Sequence, residues 1–194
     1  MVHEDGQRSW SHGIRAAVIK EQAAALGIPI VQQPTAAATY EAAFIEMLKK
    51  FKREGIEGGV FGDIDFPPHR EWDEKECAAA GITPYLPLWG EDQTKLMGEF
   101  IGAGFKAVVI AVKAELLGQE VLGTTVDKKF IEFLEGTKRV TPCGESGEYH
   151  TLVVDGPLFK KRLEIIKSEK VTRGGHHFLE ILETDLKAKK SKSR

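Results

Sequence analysis

The chain has 194 residues, 42% hydrophobic and 29% charged, which is enough to bury a real core in one large domain or one and a half. A formal net charge of -2 provides no global field to select a nucleic acid or a membrane surface, and two cysteines, Cys77 and Cys143, exclude a disulfide framework. No apolar run approaches the ~18 residues of a bilayer span, and the start is polar and acidic, so a cytoplasmic location with no membrane partner and no specific nucleic acid is expected.

Met1 to Gly13 offers turn residues and charges, with a strand only at Met1-Val2-His3. Ile14 to Leu26 reads as a helix stopped by Gly27, and Ile28 to Gln32 as a short strand. A second helix, Tyr40 to Glu54, carries Phe44, Ile45, Leu48 and Phe51 at helical spacing before Gly55. Gly58 to Asp65 is a compact strand ending in glycine and two acids. Pro67-Pro68 opens the next helix, which runs from His69 to Ala80, and Thr83 to Trp89 reads as a strand. Asp92 caps a helix reaching Ala103, and Lys106 to Val112 is a near-continuous apolar strand. Helices alternating with strands that are apolar on both faces indicate an α/β protein with a mostly parallel sheet.

After Ala114 the rhythm changes. Leu116 to Gly123 is an irregular connection, Asp127 to Glu135 a helix, and Thr151 to Asp155, Arg162 to Thr172 and His176 to Glu183 are strands. The expected division is residues 1–90 as the α/β part, 91–186 as a smaller α+β part, and 187–194 as a basic disordered tail. Trp72 and Trp89 read as core anchors, His176-His177 as a strand pair, and Cys143 as a packing residue rather than a nucleophile. No CxxC or His/Cys spacing suggests zinc.

The stretch richest in chemistry is Cys143-Gly144-Glu145-Ser146-Gly147-Glu148-Tyr149-His150-Thr151, which runs into the apolar Leu152-Val153-Val154. Two carboxylates three residues apart stand among two glycines that free the backbone, so one loop can hold both acids over one spot. Glu145 and Glu148 are the candidate catalytic residues, since a carboxylate there can bind a cation or take a proton from ammonium, and like charges held close raise one pKa. The same letters also describe a turn followed by an edge strand, with Glu148 and His150 on its solvated face.

Three segments taken together carry a resemblance: Gly62-Asp63-Ile64 with Arg70 and Trp72, Pro84-Tyr85-Leu86-Pro87-Leu88-Trp89, and Gly144 to Thr151 with Asp155-Gly156-Pro157-Leu158-Phe159. The set resembles the diphthine-ammonia ligase family, the ATP-binding group of the PP-loop ATP pyrophosphatase superfamily. The resemblance implies a nucleotide-binding α/β unit followed by a smaller domain, with ATP and Mg²⁺ as cofactors. It implies activation of the diphthine carboxylate as an acyl-adenylate and amidation by ammonia, with elongation factor 2 as protein partner in an archaeal or eukaryotic source. It assigns Gly62 and Asp63 to the nucleotide, and Arg70, Tyr149 and His150 to substrate.

The family's glycine-rich loop Ser-Gly-Gly-x-Asp-Ser, whose backbone N–H groups hold pyrophosphate, occurs nowhere in these 194 residues. The expectation is therefore a truncated or inactive ligase, about 40 residues short of a minimal βαβ unit; a silent binding module that keeps the acidic cleft is the alternative. Loss of the central strand before that loop would leave Met1 to Glu54 poorly anchored, or have its gap closed by a shifted register or by a partner chain's strand in a homo-oligomer.

Overall fold

The computed structural model describes residues 1–10 and 12–189. Thirteen helices and strands run in the order β1 Val2–His3, α1 Ala16–Leu26, β2 Pro34–Thr35, α2 Tyr40–Arg53, β3 Gly58–Val60, α3 Pro67–Ala80, β4 Thr83–Tyr85, α4 Gln93–Gly102, β5 Lys106–Lys113, α5 Lys128–Glu135, β6 Tyr149–Asp155, β7 Lys161–Arg173 and β8 His176–Ala188. Two short 3₁₀ turns lie at Ala37–Thr39 and Gln119–Val121.

Helices end where the sequence punctuates them. Gly27 and Gly81 close α1 and α3 in the left-handed region, which costs a residue without Cβ little. Asp92 and Asp127 accept from the backbone N–H of Lys95 and Phe130, satisfying a free donor at the start of α4 and α5. Pro67 opens α3, where its missing N–H is not needed.

The strands divide into two kinds, as expected of an α/β chain with parallel and antiparallel parts. β1 pairs with β2 and β3 with β4, both in parallel. β6, β5, β8 and β7 form an antiparallel sheet in that order, and β7 and β8 make a long hairpin closed by Gly174-Gly175. The apolar run of β5, expected from its sequence to be a parallel strand, is central in the antiparallel sheet. It is apolar throughout because helices as well as strands cover it: Ile14, Val18, Met97, Phe130 and Leu134 share one core with Val109, Ile110 and Val112.

Three expectations change. Ile28 to Gln32 makes no strand, and the partner of β1 is Pro34–Thr35 instead; Ile28, Ile30 and Val31 are exposed. β3 stops at Val60 and β4 at Tyr85, since the chain beyond each turns off into irregular structure. β8 takes in Lys187 and Ala188, where the sequence suggests the start of a tail; residues 190–194 lie outside the described residues.

The N-terminal segment is also anchored more firmly than the missing-strand argument implies. α1 lies against β7 and β8, Gln22 Nε2 donates to the Val153 carbonyl at 2.8 Å, and Lys160 N donates to Ala25 O at 2.8 Å. Arg8 and Arg15 reach buried Glu180 on β8 at 2.8 and 3.0 Å, and Arg173 joins them at 3.3 Å. The free edge of β1 carries an antiparallel bridge from Val2 to Ser9 within the same chain. A second, smaller core of Leu48, Cys77, Ala80 and Ile82, backed by Phe44, Phe51 and Phe61, joins α2 and α3 to the β3–β4 pair. Among the described residues no strand links β1–β2 to β3–β4.

Candidate functional site

The site forms where the chain leaving β3 meets the loop before β6. After Val60 the backbone runs to Ile64, whose buried side chain pins the segment while Gly90 N donates to its carbonyl at 2.8 Å. The turn through Phe66 and Pro67 then folds the first turn of α3 back on the segment. His69 Nδ1 and Asp63 Oδ1 lie 2.9 Å apart as a result.

The loop is a wound structure rather than a simple turn. Gly144 N bonds to Thr141 O, Gly147 N to Gly144 O, and Glu145 N to Thr141 Oγ1 at 3.0 Å. Gly144 and Gly147 have φ of 69° and 74°, and a Cβ on Gly144 would lie 2.8 Å from the Tyr149 carbonyl oxygen, so a glycine is required there. Register with β5 places the first two residues of β6, with Tyr149 opposite Val112 and His150 opposite Ala111.

Glu145 joins the two halves. Its Oε1 accepts from Ile64 N at 2.7 Å, 81 residues away, and a relay from Asp65 through Gln93 to Cys143 N, at 2.8 and 2.9 Å, runs beside it. Ligand atoms of Asp63, His69 and Glu145 all lie within 4.8 Å of one another. A cavity of about 590 Å³ opens over this group and is lined by Asp63, His69, Glu145, Tyr149, His150 and His12, with the backbone of Gly144 and Gly147. An apolar cavity of about 430 Å³ adjoins it, sharing Cys143, Tyr149 and Thr151.

The electrostatics result from burial and crowding. Burial raises the Glu145 carboxyl above its ordinary range, the Ile64 N–H pulls it down, and Asp63 adds to the rise. Burial, then the charge of Asp63, pushes Asp73 up to about 7. His150 is pushed down to about 4 by burial and then by His12, so it is neutral at pH 7. Burial and the nearby acids push the Cys143 thiol up to about 11, which leaves it protonated and unreactive.

The sequence-derived candidates separate here. Asp63, Glu145, Tyr149 and His150 share the cavity. Gly62 has ordinary φ, and a Cβ on it would meet nothing within 4 Å, so open space rather than protein lies beside it. The Tyr149 hydroxyl donates to the Pro142 carbonyl, and burial raises its pKa, so its ring is what lines the cavity. Arg70 is not part of the group: it pairs with Glu74 at 2.7 Å and sits 5.0 Å over the Trp89 ring. Glu148 is not with Glu145 either. It is 3% exposed, its Oε1 accepts from Thr141 N at 2.9 Å, and it braces the loop from inside.

Sequence reasoning misses two residues of the site. His69 and Asp73 are spaced i, i+4 on α3 and so share a face, which is the signal that could have found them. Asp73 is within hydrogen-bond reach of Asp63, and the two line a smaller cavity with His69, Trp72 and Tyr40.

Comparison with known proteins matches residues 1–84 to the family model described as the diphthamide synthase N-terminal domain and residues 92–186 to that of the diphthamide synthase C-terminal domain. The chain belongs to the diphthamide synthase family. Relatives include the diphthine–ammonia ligase of Bos taurus, 36% identical over 137 residues that make up 69% of this chain and 51% of that protein. The Homo sapiens protein of the same name is 35% identical over the same shares, and that of Schizosaccharomyces pombe 38% over 100 residues, 50% of this chain and 16% of that protein. The chain therefore spans about half the length of the mammalian relatives it matches. Within the diphthamide synthase match, Asp63 lies in the part assigned to the N-terminal domain and Glu145 in the part assigned to the C-terminal domain. No helix among the described residues is long and apolar enough to cross a membrane.

The cavity tests the cofactors expected of such a ligase. Among the described residues its charged lining is Asp63 and Glu145, with His12, His69 and His150 and no Lys or Arg, and Lys113 Nζ donates to the carbonyl of the lining residue Ser146 at 2.8 Å. That lining does not fit the polyphosphate of ATP, which needs a nest of N–H donors or cations. Two carboxylates and an imidazole also depart from the all-oxygen set of Mg²⁺.

Proposed function

We propose that the chain carries the amidation face of a diphthine–ammonia ligase, the name its relatives bear, and that it joins ammonia to a protein-borne carboxylate. The observation that supports this reading is the meeting of Asp63 and Glu145, from opposite halves of the sequence, on one open cavity whose lining, among the described residues, holds no Lys or Arg. Such a wall favours a cation, and ammonium is the cation the reaction consumes.

In this reading Asp63 and Glu145 hold ammonium beside the activated acyl group. Glu145, whose carboxyl is kept above its ordinary range by burial, takes the proton. The freed lone pair attacks the acyl carbon, and the leaving group departs with its bonding pair. The loop glycines keep Glu145 in place, Glu148 stiffens the loop, and the apolar cavity receives the uncharged part of the substrate. Activation by ATP belongs to a phosphate-binding segment that these residues do not provide. Elongation factor 2 is the proposed protein substrate, in an archaeal or eukaryotic source.

The test is amide formation. The chain is incubated with ATP, Mg²⁺, ammonium and elongation factor 2 bearing diphthine, with and without a family segment carrying Ser-Gly-Gly-x-Asp-Ser, and the product is read by mass spectrometry. Ammonium-dependent amide is expected when the segment is present and at most a trace without it. Binding of elongation factor 2 with no amide under either condition would favour a silent binding module, a reading supported by the acidic lining of the cavity.

A further inference from the structure

We infer that Asp63, His69 and Glu145 form a binding site for a first-row divalent transition cation, with Zn²⁺, Co²⁺ and Mn²⁺ preferred over Mg²⁺. Their ligand atoms lie within 4.8 Å of one another and come from three separate places: the end of the β3 segment, the first turn of α3, and the wound loop before β6. A cation at ~2.1 Å from each atom needs ligand separations of about 3 to 4 Å. The His69–Asp63 distance of 2.9 Å is already near that range, and His69 is exposed enough to adjust its rotamer. A backbone bond holds Glu145 in advance, since Ile64 N donates to its Oε1 at 2.7 Å.

A second observation points the same way. Asp73 is 4% exposed, and its Oδ2 is buried without a hydrogen-bond partner among the described residues. It sits one turn along α3 from His69 and lines the small cavity with Asp63 and His69. A buried carboxylate oxygen without a partner is costly, and here it lies beside another carboxylate. Among the described residues no Lys or Arg pairs with Asp63, Asp73 or Glu145, and the nearest arginine in sequence, Arg70, is committed to Glu74. Three acids thus converge with one imidazole and no cation.

Ligand chemistry selects the metal. An imidazole with two carboxylates suits borderline ions, whereas Mg²⁺ favours oxygen ligands in a rigid octahedron. Asp73 would act from behind, orienting the Asp63 carboxylate as outer partners of metal ligands do. Only three protein ligands converge, which leaves a position open towards the 590 Å³ cavity. The site shares Asp63 and Glu145 with the ligase reading but does not rest on it, since metal binding is read without any amide being formed. If that reading holds, metal and ammonium compete for the same oxygens.

The test is titration of the whole chain with Co²⁺, followed by visible absorption, with Mg²⁺ titrated in parallel by calorimetry. One Co²⁺ per chain is expected, with affinity at least 10-fold above that for Mg²⁺. His69→Gln and Asp63→Asn should each weaken Co²⁺ by about 10-fold or more, given that loss of even an outer partner costs 10- to 100-fold. His177→Gln, on the β7–β8 hairpin, should leave binding unchanged. Absence of Co²⁺ binding, or Co²⁺ binding in His69→Gln equal to that of the unmodified chain, would overturn the proposal, and circular dichroism verifies that each variant is folded.

Discussion

The two kinds of sheet differ in how completely they satisfy themselves. In the antiparallel sheet, β7 and β8 pair over their full lengths and β5 is paired on both edges, and one large core lies beneath. The parallel pairs are stubs of two or three residues, and β4 is the one strand partner of β3 among the described residues. Val60 on β3 is 75% exposed. The antiparallel half is thus built to hold shape, while the β3 half delivers Asp63 and His69 to it, with Glu145 as the clamp. Loops carried on rigid sheets are where binding groups usually stand.

The comparison predicts unequal costs for core truncation. Ile181→Ala, on β8 in the large core, should cost about 4 kcal/mol, in the upper part of the range for buried Ile or Leu to Ala. Leu48→Ala, in the four-residue buried core, should cost about 2 kcal/mol, the low end of the same range, because that core is small and bordered by partly buried side chains. Urea denaturation measures both, and equal losses would break the contrast. Hydrogen exchange should sharpen it, with β5 amides slow and those of β3 fast.

Glu180 tests the tie between the N-terminal segment and the hairpin. Burial pushes its carboxyl up, but Arg8, Arg15 and Arg173 more than offset this and hold it below 4.5. A depressed carboxyl contributes stability above its unfolded pKa and loses it as pH falls through the folded value. Glu180→Gln should therefore cost about 3 kcal/mol at pH 7, the low end for a broken buried pair because the arginines are 31 to 42% exposed. The deficit should shrink below about pH 4.5. A deficit independent of pH would contradict the ion-pair account. Last comes Asp127→Ala, which removes the cap of α5 and should cost about 1 kcal/mol, measured as a shift in denaturation midpoint.

Much of this was legible in the sequence for local reasons. Gly27, Gly81, Asp92 and Asp127 bound their helices because caps act within a few residues. The loop rich in acids and glycine stood out by composition. The features that escaped depended on distant contacts. Ile28 to Gln32 has strand-like residues yet makes no strand, since pairing depends on a neighbour rather than on propensity. Glu145 and Glu148 look equivalent, and only the wound loop turns one to the cavity and the other inward. His69 and Asp73 were hidden because the bend at Phe66 and Pro67, not sequence spacing, sets them against Asp63.

The central claim is that Glu145, and not Glu148, works at the seam. The direct measurement is the rate of ammonium-dependent amide formation in Glu145→Gln and in Glu148→Gln, with the phosphate-binding segment supplied. Glu145→Gln should lower the rate by about 10² or more, the usual loss for an acid-base group, with little change in unfolding midpoint. Glu148→Gln should lower stability by about 1 to 3 kcal/mol, the cost of disturbing a buried hydrogen-bonded carboxylate, while the folded fraction keeps most of its rate. The reverse pattern, with the rate lost in a stably folded Glu148→Gln and retained in Glu145→Gln, would contradict the account.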